Sequence, residues 1–308
     1  MIPRIVQSKG LILSSSYGLS HIFPHHSSPG LYSADRQQTM TSITTSPLAS
    51  TTSPLPPQTL AGKTAIISGS CSGIGAEIAR ELSSRGCDIV INYPFPALET
   101  QALELANSLT SRAISVCADI STLDGPQTLV AATVKEFGKV DILVNNAAIA
   151  VNLPLEEQTI EHWDSLVNLN GRGTFLLTQA ALPHLSKTDS RIVNIDSISS
   201  RAAPAMQTIY AGTKGMVDSF TRCWARELPP KYGCTVNSVS PGPTMTEGFA
   251  AAGESFMKLM QPTLDLTPVG PRMARPEEIA FAVGFLCEPR ASWINGLNLT
   301  ASGGLFID

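Results

Sequence analysis

Tyr210 and Lys214 stand four residues apart near the start of a stretch, 208–228, whose apolar spacing predicts a helix, so both side chains leave one face. A phenol with an ordinary pKa near ~10 is a poor base at neutral pH, but an ammonium a few ångströms away favours the phenolate and lowers that value. The pair can then do acid/base work. Ser197 ends a predicted strand shortly before it. Its hydroxyl can donate to an oxygen on which negative charge collects, a stabilisation that is large in a dry site. Asn170, within Asn168-Leu169-Asn170-Gly171, lies in the predicted helix before that strand, and its amide can hold a water that passes a proton outward. Taken singly each residue has a plain reading, because Tyr/Lys pairs on helices are mostly surface pairs. Their register with other motifs is what raises them.

These groups need a scaffold. From Thr64 onward short β-like apolar runs alternate with helical patterns, as in a parallel sheet covered by helices on both faces. Strands are predicted over 64–68, 88–92, 113–118, 142–145, 192–195, 235–239 and 297–300. Helices are predicted over 74–85, 98–109, 128–137, 160–185, 208–228 and 276–287. No interior segment has the Pro/Ser content of a linker. Residues 61–308 therefore read as one α/β domain, a Rossmann-like doubly wound parallel sheet of about seven strands.

The first strand runs into Gly69-Ser70-Cys71-Ser72-Gly73-Ile74-Gly75 and then a helix. Glycines let the backbone turn tightly and let a pyrophosphate approach the N–H groups at the positive end of a helix. The first gap is one residue longer than in the usual dinucleotide fingerprint, and alone such a loop also reads as a structural turn. The flanking strand and helix favour a nucleotide, with Gly69, Ser72, Gly73, Ile74 and Gly75 as candidate contacts. Asn92, which closes the second strand, is a further candidate cofactor contact. Asp119 ends the third, at the carboxyl edge where open α/β sheets bind ligands; it either accepts from an adenine amino group or caps a helix starting near Ser121. Asn145 and Ala147, in Asn145-Asn146-Ala147-Ala148, allow close backbone approach to a ribose.

Together these motifs resemble the short-chain dehydrogenase/reductase family over essentially everything from Leu60 to Asp308. The resemblance rests on Gly69-x-x-x-Gly73-x-Gly75, Asp119, Asn145-Asn146-Ala147, Asn170, Ser197, Tyr210-x-x-x-Lys214, Pro241-Gly242-Pro243-Thr244-Met245-Thr246 and Ser302-Gly303-Gly304. It implies that Tyr210 is the general acid/base, that Ser197 orients and polarises a carbonyl, and that Lys214 also bonds a nicotinamide ribose. It implies a proton relay supported by Asn170, and contacts from Thr244 and Thr246 to the nicotinamide carboxamide and phosphates, with Pro241 and Gly242 in the same cofactor-binding segment. An enzyme interconverting a ketone and a secondary alcohol is implied, akin to 3-oxoacyl and polyketide-type ketoreductases, as is a homodimer or homotetramer. Three positions depart from the pattern: Ser68 where Thr is usual, Ala148 where Gly is usual, and Asp196 where a second Ser is common.

Enzymes of this kind that use NAD tend to place an acid at the end of the second strand to hold the ribose 2′-OH. Here the strand ends Asn92-Tyr93-Pro94 with no acid before Glu99, which points to NADP(H). Against that, Ser72 stands where many NADP-using relatives carry Arg or Lys, and NAD is the alternative. After Thr246 come Phe249, Phe256, Met257, Leu259 and Met260, a segment that in the family forms a lid over the substrate. Apolar, Met-containing walls suit a bulky hydrophobic ketone, such as an aromatic polyketide, a terpenoid or an acyl chain; the same spacing also serves core packing. Alcohol oxidation by the same residues in reverse is a second reading. A nucleotide-binding scaffold without turnover is a third, and it would be expected to lose Tyr210 or Lys214.

Composition excludes other classes. With 43% hydrophobic and 15% charged residues over 308, the chain can bury a full core. A net charge of −4 offers no general attraction to nucleic acid or anionic membrane. The six cysteines are scattered without a C-x-x-C pair, so no metal site or disulfide framework is expected, and buried free thiols fit a reducing, cytoplasmic setting. No apolar run approaches the ~20 residues of a membrane-spanning helix. Residues 1–60 are rich in Ser, Thr and Pro and are expected to be disordered. Arg4, Lys9 and Arg36 against Asp35 match a mitochondrial transit peptide, but Pro3, Gly10 and Pro24 interrupt a long helix; a solvated tail or a true start at Met40 are the other readings.

Overall fold

The computed structural model describes residues 58–250 and 253–308. One sheet holds β1 (Thr64–Ile67), β2 (Asp88–Tyr93), β3 (Ala113–Cys117), β4 (Ile142–Asn145), β5 (Ser190–Ile195), β6 (Cys234–Pro241) and β7 (Asn298–Ala301). All neighbours are parallel, in the order β3-β2-β1-β4-β5-β6-β7. Every predicted strand is present. β1, β4, β5 and β6 are buried along their whole length, and β1 and β4 accordingly read as short, mostly apolar runs rather than alternating ones. The order reverses between β1 and β4, so the loops leaving those strands diverge and open a crevice at the carboxyl edge.

The helices are α1 (Gly73–Ser84), α2 (Glu99–Ser108), α3 (Gly125–Phe137), α4 (Ile160–Leu166), α5 (Thr174–Ala181) and α6 (Ser199–Ala202). They continue with α7 (Thr208–Glu227), α8 (Pro229–Tyr232), α9 (Glu247–Ala250), α10 (Gly253–Asp265) and α11 (Pro276–Cys287). On one face Ile78 and Leu82 of α1, Leu105 of α2 and Val283 of α11 pack with Ile67, Ile89 and Val144. On the other, Leu129 of α3, Leu177 of α5 and Trp224 of α7 pack with Ile66, Leu143 and Val236. Adjacent residues of a strand face opposite layers, so Ile66 and Ile67 anchor different cores. Among the described residues no helix is long and apolar enough to cross a membrane.

Residues 160–185 are not the single helix predicted. A π-helical stretch, Val167–Gly173, separates α4 from α5, and a 3-10 turn, Leu182–His184, follows α5. Two glycines explain the geometry: a Cβ on Gly171 would lie 2.7 Å from Met216 Sδ, and one on Gly173 would lie 2.8 Å from the Ile120 carbonyl oxygen. α7 and the loop after β3 approach too closely for side chains there. A second difference is α10, which the predicted helices omit. Leu264 near its end is buried, Met257 and Met260 are partly buried, and the side chains of Phe256 and Leu259 lie outside the described residues.

The excursion that holds α9 and α10 has a narrow neck. Met245 N–H donates to the Ala274 carbonyl at 2.9 Å, and Ala274 N–H donates to that of Pro243 at 2.8 Å. Past α10, Val269 N–H donates to the Gly303 carbonyl at 3.1 Å, and Gly303 and Gly304 adopt φ of +65° and +84°. A Cβ on Gly303 would meet Thr267 Cγ2 at 2.8 Å, so both conformation and space require glycine. At the other end of the body, Leu60 is buried with its N–H on the Arg85 carbonyl, and the Thr59 hydroxyl donates to Glu288 at 2.7 Å. The body thus takes in Gln58–Leu60; the rest of the expectation for residues 1–60 lies outside the described residues.

Ile66 is fully buried between β2 and β4, facing Val90 and Leu143 in register. Ile66→Ala should lower the unfolding free energy by about 2–5 kcal/mol in urea denaturation, since the sheet on both sides prevents collapse of the cavity. A loss below about 1 kcal/mol would show that the core relaxes around the gap.

Candidate active site

The chain leaves β5 through Asp196 and Ser197, and α7 lays its first turns against that edge. Lys214 is 3% exposed and donates Nζ to the carbonyl of Ile195, the last residue of β5, at 2.7 Å. Its Nζ lies 5.9 Å from the centroid of the Tyr210 ring. Ser197 is buried; its Oγ accepts the Ser199 N–H at 3.1 Å and is hydrogen-bonded to the Tyr210 phenol. The structure thus brings together the serine, tyrosine and lysine that spacing alone had grouped.

The electrostatics differ from the expectation that Lys214 lowers the phenol's pKa. Burial pushes the Tyr210 phenol up, the Ser197 hydrogen bond opposes this, and the Asp196 charge adds to the rise. Burial also brings Lys214 down to about 8, with Asp196 working against it. Desolvation outweighs the attraction because the amine is spent on the Ile195 carbonyl rather than on the phenol. In this protein the phenol holds its proton at neutral pH.

Asn170 is tied into the scaffold around the site. It is buried in the π-helical stretch, and its Nδ2 donates to the Ile149 carbonyl at 2.9 Å and to Thr213 Oγ1 at 3.0 Å. Its Oδ1 accepts the Ile149 N–H at 3.0 Å. Both amide hydrogens are committed, which leaves the second lone pair of Oδ1 as the side chain's remaining hydrogen-bonding capacity. The amide locks the loop after β4 to α7, because Thr213 Oγ1 in turn donates to the Tyr210 carbonyl at 2.8 Å. Thr213, buried one residue before Lys214, was not singled out from the sequence; its i+3 position after Tyr210 is the available signal.

The glycine loop is braced from below. Gly69 and Gly73 adopt φ of +60° and +56°, and a Cβ on Gly69 would come 2.9 Å from Ala147 Cα. At Gly75 a Cβ would lie 2.6 Å from both Asn146 Nδ2 and the Gly69 carbonyl oxygen. Ser72 precedes α1 in extended conformation, and Ile74 packs on the core. Asn92 is buried, its Oδ1 accepts the Gly69 N–H at 3.0 Å and its Nδ2 donates to the Ala118 carbonyl at 2.8 Å, so its side chain supports the loop from beneath. Asn145 turns inward too, donating to Thr178 Oγ1 and Asn194 Oδ1 at 2.9 and 2.8 Å. Its neighbour Asn146, part of the same motif, donates to the Ser68 and Gly69 carbonyls. Asp119 Oδ1 accepts the N–H and hydroxyl of Ser121, closing a turn rather than capping a helix, since α3 starts only at Gly125.

Opposite the loop, Thr246 Cγ2 sits 3.4 Å from where a Cβ on Gly73 would be. Thr244 is buried with its hydroxyl on the Gly242 carbonyl, and the Pro241 carbonyl accepts the Ile198 N–H at 3.1 Å. A groove of about 310 Å³ opens past Ser72, Gly73 and Thr246 toward Gln101 and Glu104 of α2. The loop is therefore open to a ligand.

Residues 69–306 match the family model described as Enoyl-(Acyl carrier protein) reductase. The chain is 38% identical over 254 residues to the short-chain dehydrogenase/reductase FrzI of Cladobotryum sp, covering 81% of this chain and 98% of that protein. The chain belongs to the short-chain dehydrogenase/reductase family. A second family member, the hydroxynaphthalene reductase arp2 of Aspergillus fumigatus, is 32% identical over 247 residues, covering 77% of this chain and 90% of the relative. The crystal structure of a short-chain dehydrogenase from Burkholderia cenocepacia in complex with NADP has a TM-score of 0.74 at 32% identity, covering 80% of this chain and 99% of that one. Within this family frame, Ser68 keeps the hydroxyl of the usual Thr and uses it to accept the N–H groups of Asn146 and Ala147, both at 3.0 Å.

Asn92→Ala leaves the Gly69 N–H and the Ala118 carbonyl without a buried partner. It should cost about 1–3 kcal/mol of stability in denaturant titration and speed amide exchange at Gly69. Unchanged exchange there would remove the bracing role.

Proposed function

We propose that the protein is an NADP(H)-dependent ketoreductase that interconverts a bulky, hydrophobic ketone and its secondary alcohol. The observation that carries this reading is the convergence of Ser197, Tyr210 and Lys214 at the carboxyl edge of β5, on the same sheet edge as a glycine loop too tight for side chains. The residues fit a dinucleotide. Gly69, Gly73 and Gly75 leave backbone where a pyrophosphate needs close approach, at the N-terminus of α1, and Thr246 faces them. Ala147 and the turn at Asp119 border the same crevice, and Lys214 and Tyr210 would hold the nicotinamide ribose. The absence of an acid at the end of β2 supports NADP(H), as does the NADP complex of the B. cenocepacia relative.

When bound, the reduced nicotinamide supplies the hydride. Ser197 orients the substrate oxygen and donates to it as charge builds there. Tyr210, whose raised pKa keeps it protonated, gives its proton to that oxygen, and Lys214 fixes the local charge. The partly buried Met257 and Met260 of α10 supply adaptable apolar surface for the substrate, and the hydroxynaphthalene reductase relative supports an aromatic one. Exposed Trp163 and Phe175 on the α4–α5 side and Phe281 on α11 support assembly as a homodimer or homotetramer, and six unpaired cysteines support a cytoplasmic setting.

Consumption of NADPH, followed by its absorbance, should be seen with bicyclic aromatic ketones and be slower with NADH; turnover confined to an enoyl thioester would replace ketone reduction as the reaction. Tyr210→Phe should lose at least about 100-fold in turnover while NADPH fluorescence still reports binding. Activity that survives it removes the mechanism. Gly75→Ala should weaken NADPH binding by at least about tenfold, measured by the same fluorescence.

A further inference from the structure

Asp196 is a buried acid that the reaction, as described so far, leaves without a task. It lies directly before Ser197 and is 2% exposed. Oδ2 accepts from Ser200 Oγ of α6 at 3.0 Å, from Ser240 Oγ of β6 at 3.2 Å and from Asn298 Nδ2 of β7 at 3.1 Å. Oδ1 is buried with no hydrogen-bond partner among the described residues. A buried carboxyl oxygen without a partner is costly unless an opposite charge compensates it.

The surrounding elements narrow the source of that charge. β6 and β7 present only the neutral Ser240 and Asn298. α6 presents Ser200 and Arg201, and Arg201 is turned away to Asp218, at 2.9 Å, and to Asp308. α7 presents Tyr210, Lys214 and Asp218, and Asp218 is held by Arg201, by Arg222 at 3.2 Å and by the same Asn298 amide at 3.2 Å. Both arginines are thus spent on Asp218. The cation left near Asp196 is Lys214, whose Nζ sits on the carbonyl of the preceding residue, Ile195; burial pushes the Asp196 carboxyl up, the Lys214 charge opposes that rise, and Asp196 opposes the fall at Lys214.

We propose that Asp196 is a positioning residue, the buried counter-charge that keeps Lys214 an ammonium beside Tyr210. The proposal rests on the functional reading above, in which Lys214 acts as a cation. Ser is common at this position in the family, so the charge is a particular property of this site. Burial alone favours a neutral amine, and even with Asp196 present Lys214 is brought down to about 8. The Asp196 charge also holds the proton on Tyr210. A lysine is charged below its pKa, so removing a neighbouring negative charge moves its loss of charge to lower pH.

The test compares wild type with Asp196→Asn, and with Asp196→Ser should the amide variant fail to fold. Two measurements are made: the pH profile of kcat/KM for ketone reduction, and the titration of the Lys214 amine by NMR in cofactor-free protein carrying lysine labelled at its ε carbon. Lys214→Arg identifies the signal by its loss. The expected result is that the alkaline limb and the Lys214 titration both move down by about one pH unit, the effect of one nearby opposite charge. An equal fall in rate at every pH, with the Lys214 titration unmoved, makes Asp196 a packing residue and overturns the proposal. Profiles that coincide overturn it as well, and mean that Asp196 is neutral in the folded protein. If Tyr210→Phe remains active the proposed function fails separately, and the NMR titration still decides the role of Asp196.

Discussion

An amine taken out of water must be met by oxygen, and Lys214 is met by the carbonyl at which β5 stops. That requirement dictates the arrangement around it. The strand must end at Ile195 so that its last carbonyl faces α7, and α7 must begin close enough to this edge for a four-carbon stem to reach it. Asp196 and Ser197 then follow from the same bend. Because α7 is pulled in, the helix before it has to give way, and the π-helical stretch with Gly171 and Gly173 is the form this takes. Asn170, buried within that stretch, ties the adjoining loop to Thr213 and so to the first turn of α7.

The nucleotide side of the crevice is built on the same economy of polar groups. Ser68, Ser70, Asn92 and Asn146 do not face outward; each spends its hydrogen bonds on backbone of the glycine loop or of the strands beneath it. A loop of glycines has little stiffness of its own. Its shape is imposed by these side chains before any ligand arrives, so little ordering entropy remains to be lost on binding.

The sheet was legible in the sequence because its central strands are buried on both faces, leaving short β-branched and apolar stretches between helical patterns. Tyr210 and Lys214 were legible because helical geometry places i and i+4 together. Three things were not. Strand ends carry no label for which way a side chain turns, so the hydrogen bonds by which Asn92, Asn145 and Asn146 brace the backbone could not be read from the sequence. Periodicity along a single segment is blind to a neighbour's close approach, which is why 160–185 read as one helix. Residue identity gives proximity and not hydration, so attraction between amine and phenol was expected to prevail where burial in fact prevails.

The neck formed by Pro243, Met245 and Ala274 separates two evolutionary currencies. Its bonds are made wholly by main-chain atoms, which any amino acid supplies, and its far side is fastened by glycine backbone at Gly303. Closing such an excursion costs little more as it lengthens. The segment between the two feet can therefore change in length and in residue type without disturbing strand register or nucleotide grip.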